Sequence, residues 1–146
     1  MNLEYNKNRE LSLGEQVVLD EWIDYNGHMN VAFYVLAFDR GVDSFIKSIG
    51  VSDIYIAKQK KSMFTLEMRV NYTQELYAGD KIRITCQLLD IDSKRVHYYL
   101  KMYNDDKGFI AAKSEQLMVH VDLVSRKSTP FPPFILKSLH NIFEAH

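Results

Sequence analysis

The chain has one cysteine among its 146 residues, Cys86, so it cannot close an internal disulfide. It has no run of about 18 apolar residues and no arginine-flanked apolar leader. Those absences predict a soluble, cytoplasmic protein that does not engage a membrane. Charge of one sign is also missing. Lys and Arg total 18 against 19 Asp and Glu, a formal net charge of -1, which provides no basic field to draw in nucleic acid. Glycine is scarce, and neither a glycine-rich phosphate loop nor a nucleotide fingerprint is present. The five histidines, His28, His97, His120, His140 and His146, show no metal-ligand spacing. No metal and no cofactor are therefore expected. The three prolines all fall between residues 125 and 133, which reads as an exit from folded structure rather than a domain linker.

What is present is apolar content with clear periods. At 47% hydrophobic and 12% aromatic residues, the chain can form one domain burying about 70% of its unfolded surface. Gln16 to Leu19 is a short apolar run that reads as a first strand. Val31, Tyr34, Val35, Phe38, Val42, Phe45, Ile46 and Ile49 then make one helical stripe, stopped by Gly50. Beyond it the period becomes two. Phe64, Leu66, Met68, Val70 and Tyr72 share one face of a strand, and Ile82, Ile84, Cys86 and Leu88 share one face of the next. Val96 to Met102 and Phe109 to Val121 complete four consecutive antiparallel strands, with a polar hairpin loop at 104–108. Ile135, Leu136, Leu139, Ile142 and Phe143 predict a short terminal helix. The class is α+β: one long helix covered by a curved antiparallel sheet of five strands, whose unpaired outer strands call for a second copy.

Chemistry concentrates just before the long helix. The segment Trp22-Ile23-Asp24-Tyr25-Asn26-Gly27-His28-Met29-Asn30 sets a carboxylate, an imidazole and an amide around a glycine turn. Asn30 is a good N-cap, so the free N–H groups of the first turn, at Val31, face back toward Asp24. An aspartate is ionised near neutral pH and can attack an acyl carbon or activate water, while helix N–H groups stabilise the developing oxyanion. Asp24 also fits a plain turn residue. His28 fits a hydrogen-bond donor to the carboxylate or the substrate oxygen, and equally a residue that only orders the loop. Trp22, Tyr25, Phe33 and Tyr34 crowd the same region; such rings hold a quaternary ammonium or simply fill a core. Glu67 or Asp39 offers a counter-charge. Lys94 and Arg95, like Lys58, Lys60 and Lys61, fit phosphate contacts or solvated strand ends.

The Asp24 loop, the helix from Val31 to Ile49 and the four strands resemble the hotdog-fold acyl-CoA thioesterases of the 4-hydroxybenzoyl-CoA thioesterase type, over roughly residues 14 to 122. The wording from Trp22 to Ala32 is most similar to that of betainyl-CoA thioesterases found near, or fused to, carnitine dehydrogenase. The resemblance implies a single hotdog domain over 1–146, with 123–146 as a C-terminal extension. It implies hydrolysis of a short acyl-CoA, betainyl-CoA among the candidates, with Asp24 as nucleophile or general base and the N–H near Val31 polarising the thioester carbonyl. His28 and Asn30 match the motif with less settled roles. Family active sites lie between subunits, which implies a homodimer or homotetramer. Some hotdog thioesterases use a glutamate on the central helix, where this chain has Asp39 and Asp43, so the working carboxylate is expected at Asp24. Two other readings stay open: a hotdog hydratase or dehydratase of enoyl or hydroxyacyl thioesters, and a non-catalytic acyl-CoA-binding module.

Overall fold

The computed structural model describes residues 10–145; the polar N-terminal segment and His146 lie outside them. The elements run β1 (Leu11–Val17), a single 3-10 turn (Asp20–Trp22), α1 (Val31–Ser48), α2 (Asp53–Gln59), β2 (Lys61–Tyr72), β3 (Lys81–Ile91), β4 (Arg95–Asn104), β5 (Ile110–Asp122) and α3 (Pro133–Ala145). All five strands join one antiparallel sheet in the order β1-β3-β4-β5-β2, with β1 and β2 at its edges. This is the expected α+β hotdog arrangement, with one long helix against a curved sheet.

The two-residue period is cleanest in the middle of the sheet. Val96, Tyr98, Leu100 and Met102 of β4 and Ile82, Ile84, Cys86 and Leu88 of β3 are all buried. α1 packs against β1 and β3 through small residues as well as the aromatics of its stripe. A Cβ at Gly41 would stand 3.1 Å from Ile84 Cγ2 and 3.5 Å from Leu13 Cβ, so glycine here sets how closely helix and sheet approach. Ala37 and Gly41 therefore belong to the buried stripe, whereas Val31, expected within it, is 53% exposed. Gly50, at φ +112°, turns the chain after the Ile49 cap, and α3 docks there with Phe134 against it. Ile135, Leu139 and Ile142 bury the inner face of α3 in the same apolar cluster as the rest of the core.

Three expectations are corrected. The first strand begins at Leu11 rather than Gln16, because Leu11 and Leu13 supply its buried face. Gly14, at φ +96°, lies where the register slips between Ser12 and Glu15 and disguises the alternation. A second helix, α2, was not anticipated: Ser52 caps it by accepting the Tyr55 N–H at 3.1 Å, and Lys60 ends it in the left-handed region at φ 55°. In β2 the register slips again between Thr65 and Glu67. The slip puts Phe64 on the opposite face from Met68, so the expected single stripe is broken at Leu66. Val70 packs partly buried against the core, whereas Leu66 is 53% and Met68 38% exposed in this chain.

Candidate active site

The chain from Trp22 to Asn30 folds back on itself. Ile23 bridges Met29, and the Asn30 N–H donates to the Trp22 carbonyl at 2.9 Å. Between them the Gly27 N–H donates to the Asp24 carbonyl at 3.0 Å, with Gly27 at φ +83°, where a side chain would be strained. The Met29 N–H donates to the Leu76 carbonyl at 2.8 Å, tying this loop to the segment that follows β2.

Asp24 sits half-buried at the start of the turn with both carboxylate oxygens engaged. Oδ1 accepts the Asn26 N–H at 2.8 Å, and Oδ2 accepts Nδ2 of Asn30 at 2.9 Å. The Asn30 amide, followed by the Asn26 N–H, holds the Asp24 carboxyl below its ordinary value of 3.8. Asn30 is also the N-cap of α1, its Oδ1 accepting the Ala32 N–H at 3.0 Å. Among the described residues, the N–H of Val31 has no acceptor. One asparagine thus both binds the Asp24 carboxylate and caps the helix whose first N–H is open. That pairing suits attack on a carbonyl whose oxygen gains charge.

His28 points the other way around the loop. Its Nδ1 lies 3.0 Å from the Met29 carbonyl, so that nitrogen carries the hydrogen, and Nε2 lies 3.9 Å from Oε1 of Glu75. His28 and Val31 line a cavity of about 160 Å³ together with Tyr34, Tyr72, Gln74 and Glu75.

The aromatic candidates do not form one cage. Trp22 is buried, stacked on Phe33 with centroids 5.6 Å apart, and the Arg40 guanidinium lies 5.5 Å from its ring. Tyr25 is 97% exposed on the turn, and only Tyr34 of the four faces the cavity. Glu67 and Arg95 lie elsewhere, on a wide groove of about 740 Å³ shared with His97 and Glu115. Register explains this: Glu67, Leu117, His97 and Asp90 form one cross-strand row on the outer face of the sheet. Arg95 Nε pairs with Asp92 at 2.7 Å, and Lys94 Nζ donates to Ser128 at 3.0 Å. Asp39 lines a smaller cleft of about 70 Å³ between α1 and β2, with Val42 and Thr65. Tyr72 and Glu75 escaped the sequence reading. The available signal was the polar-aromatic run from Tyr72 to Tyr77 at the exit of a strand; nothing local indicates that it returns to the Asp24 loop.

Residues 18–139 match the family model described as the thioesterase-like superfamily. The betainyl-CoA thioesterase of Pseudomonas aeruginosa is 37% identical over 136 residues, 93% of this chain and 86% of that protein. The L-carnitine dehydrogenase/betainyl-CoA thioesterase of Ruegeria pomeroyi is 38% identical over 92% of this chain, which matches only 27% of that longer protein. A Staphylococcus aureus protein solved in complex with CoA superposes with a TM-score of 0.89 at 29% identity, covering 100% of this chain and 90% of its own. Since the family match spans most of the chain, the chain belongs to the thioesterase-like superfamily.

Proposed function

We propose that this protein hydrolyses a short acyl-CoA thioester, betainyl-CoA being the substrate named for its relatives, and that Asp24 is the working carboxylate. The observation that carries this reading is the clamp at Asn30, which donates to the Asp24 carboxylate, lowering its pKa, and caps the helix that begins at Val31. CoA in the complex of the Staphylococcus aureus protein supports the ligand class.

In the step, the thioester oxygen accepts the Val31 N–H. Asp24 attacks the carbonyl carbon, or takes a proton from the water that does. The tetrahedral intermediate collapses, the C–S bond breaks, and the CoA sulfur leaves and is protonated, by Asp24 where Asp24 has taken the proton of water and by solvent where it has attacked directly. Where Asp24 attacks directly, water then cleaves the acyl-aspartyl anhydride and restores the carboxylate. Water is the only co-reactant, and Asn30 acts as a positioning residue. Lys94 and Arg95 are assigned to the phosphates of CoA, with the acyl group held near His28 and Tyr34.

The working unit is a homodimer, or a homotetramer built from it, with sites between subunits. The open apolar face of edge strand β2 supports that assembly. A cytoplasmic location fits a chain whose lone cysteine is buried and reduced.

The test is thiol release from betainyl-, acetyl-, medium-chain and aromatic acyl-CoA esters by wild type and Asp24→Asn. Release by wild type, lowered at least about 100-fold in the variant, is expected. Turnover retained in Asp24→Asn removes Asp24 from the role. No release from any ester, with a change in enoyl absorbance instead, makes the protein a hydratase.

A further inference from the structure

We propose that the cavity bounded by Tyr34, Tyr72 and Glu75 is the seat of a cationic acyl head group, so that these residues select a quaternary ammonium one carbon from the thioester carbonyl. The proposal rests on the reading above, in which that carbonyl docks at the Val31 N–H.

The cavity has the chemistry of a cation site. The rings of Tyr34 and Tyr72 meet at 89° with centroids 5.0 Å apart, forming an aromatic corner. Both rings are fixed by their hydroxyls: Tyr34 donates to the Gln74 carbonyl and Tyr72 to the Val31 carbonyl, each at 3.3 Å. A corner fixed in advance loses little freedom when a ligand enters it. Glu75 supplies the negative charge. Its Oε2 accepts the Tyr77 hydroxyl at 2.7 Å, while Oε1 lies 3.9 Å from Nε2 of His28, which also lines the cavity. No lysine or arginine is among the described residues that line this space. A carboxylate beside aromatic faces attracts an alkylammonium, whose methyl groups make no hydrogen bonds and need none.

Size and position agree. A volume of about 160 Å³ is roughly five times the share of one water, room for about five heavy atoms. Val31 belongs to both regions, its N–H serving the carbonyl oxygen and its side chain lining the cavity. A cation separated from the carbonyl by one methylene can therefore occupy both at once. The positive end of α1 opposes a cation here; the full charge of Glu75 and the ring faces outweigh that fractional charge. Trp22, Phe33 and Tyr25 have no part in this site, since the first two are stacked on each other and the third faces solvent.

The test compares betainyl-CoA with 3,3-dimethylbutanoyl-CoA, in which carbon replaces nitrogen and the shape is kept. Wild type is expected to favour the cationic ester by kcat/KM. Tyr72→Leu and Glu75→Gln are each expected to lower that preference about tenfold or more, chiefly through KM. Calorimetry with tetramethylammonium adds a readout independent of hydrolysis, with binding to wild type and a loss in Glu75→Gln. An unchanged preference in both variants, or a wild type that favours the neutral ester, overturns the cation site while leaving the thioesterase standing. If neither ester is cleaved yet tetramethylammonium binds in a Glu75-dependent way, the thioesterase reading fails and the cation site stands. If it does not bind, both fall.

Discussion

Asn30 holds Asp24 with one end of its amide and the first turn of α1 with the other: Nδ2 donates to Asp24 Oδ2 at 2.9 Å, and Oδ1 accepts the Ala32 N–H at 3.0 Å. The two roles separate by substitution. Asn30→Ser keeps an N-cap acceptor but has no amide to reach the carboxylate, whereas Asn30→Ala removes both. Asn30→Ser is expected to keep most of the stability of wild type, losing only what the Asp24 hydrogen bond contributes, and to lose about tenfold or more in kcat. Asn30→Ala is expected to lose a further ~1 kcal/mol of stability in denaturant unfolding. Equal kcat in wild type and Asn30→Ser would show that the clamp has no part in turnover.

The same hydrogen bonds fix a pH dependence. The Asn30 amide and the Asn26 N–H hold the Asp24 carboxyl below 3.8, so the ionised form that the reaction needs persists into acid. The acid limb of kcat/KM is expected below about pH 4 in wild type and at higher pH in Asn30→Ser. For folding the sign is the same. A depressed carboxyl stabilises the fold above its unfolded value, and that contribution is lost as pH falls through the folded value. A limb at the same pH in both proteins would rule out Asp24 as the group that titrates.

Local rules made much of the site legible. The 3.6 period of α1, the cap at Asn30 and the glycine turn at Gly27 all follow from neighbours in sequence, and together they set Asp24 against a helix N-terminus. The rest depends on long-range pairing. That Tyr72 and Glu75 lie beside His28 follows from the Met29 N–H meeting the Leu76 carbonyl, 47 positions on in sequence, which no periodicity encodes. Glu67 fails as a neighbour of Asp24 for a related reason: strand alternation gives a face, but only sheet register identifies Leu117 and His97 as its companions. The slip at Leu66 is equally silent, because one extra residue in a strand leaves the composition unchanged.

A second histidine makes a separate test of the fold. His120 is buried, its Nδ1 3.0 Å from the Thr129 carbonyl and its Nε2 2.9 Å from the Tyr55 hydroxyl, so the neutral ring donates to the first and accepts from the second. Burial lowers its pKa from 6.5, and the nearby Lys61 acts in the same direction. A histidine favoured neutral contributes stability that is complete above about pH 6.5 and is lost as pH falls through the folded value. The melting temperature is expected to drop as pH falls below about 6.5 in wild type and to drop less in His120→Gln. Tyr55→Phe leaves Nε2 without its donor and is expected to cost about 1–3 kcal/mol in denaturant unfolding. Parallel pH profiles for wild type and His120→Gln would remove His120 as the titrating group.

The exposed face of β2 connects assembly to activity. Leu66 and Met68 lie on an edge strand, and the cavity at Tyr72 opens at the end of the same strand. In an isolated chain Met68→Lys costs little, since a 38% exposed side chain leaves room for the ammonium to reach water. Against the same surface of a second copy, the charge would be buried without a partner, which is expensive. Wild type is therefore expected to run as a dimer or larger in light scattering, and Met68→Lys to shift toward monomer at equal concentration while keeping its far-ultraviolet spectrum. Turnover is expected to fall with the fraction of assembled protein and to recover as concentration rises. A monomeric wild type with full turnover would place the whole active site within one chain, and would leave the open face of β2 to some other partner.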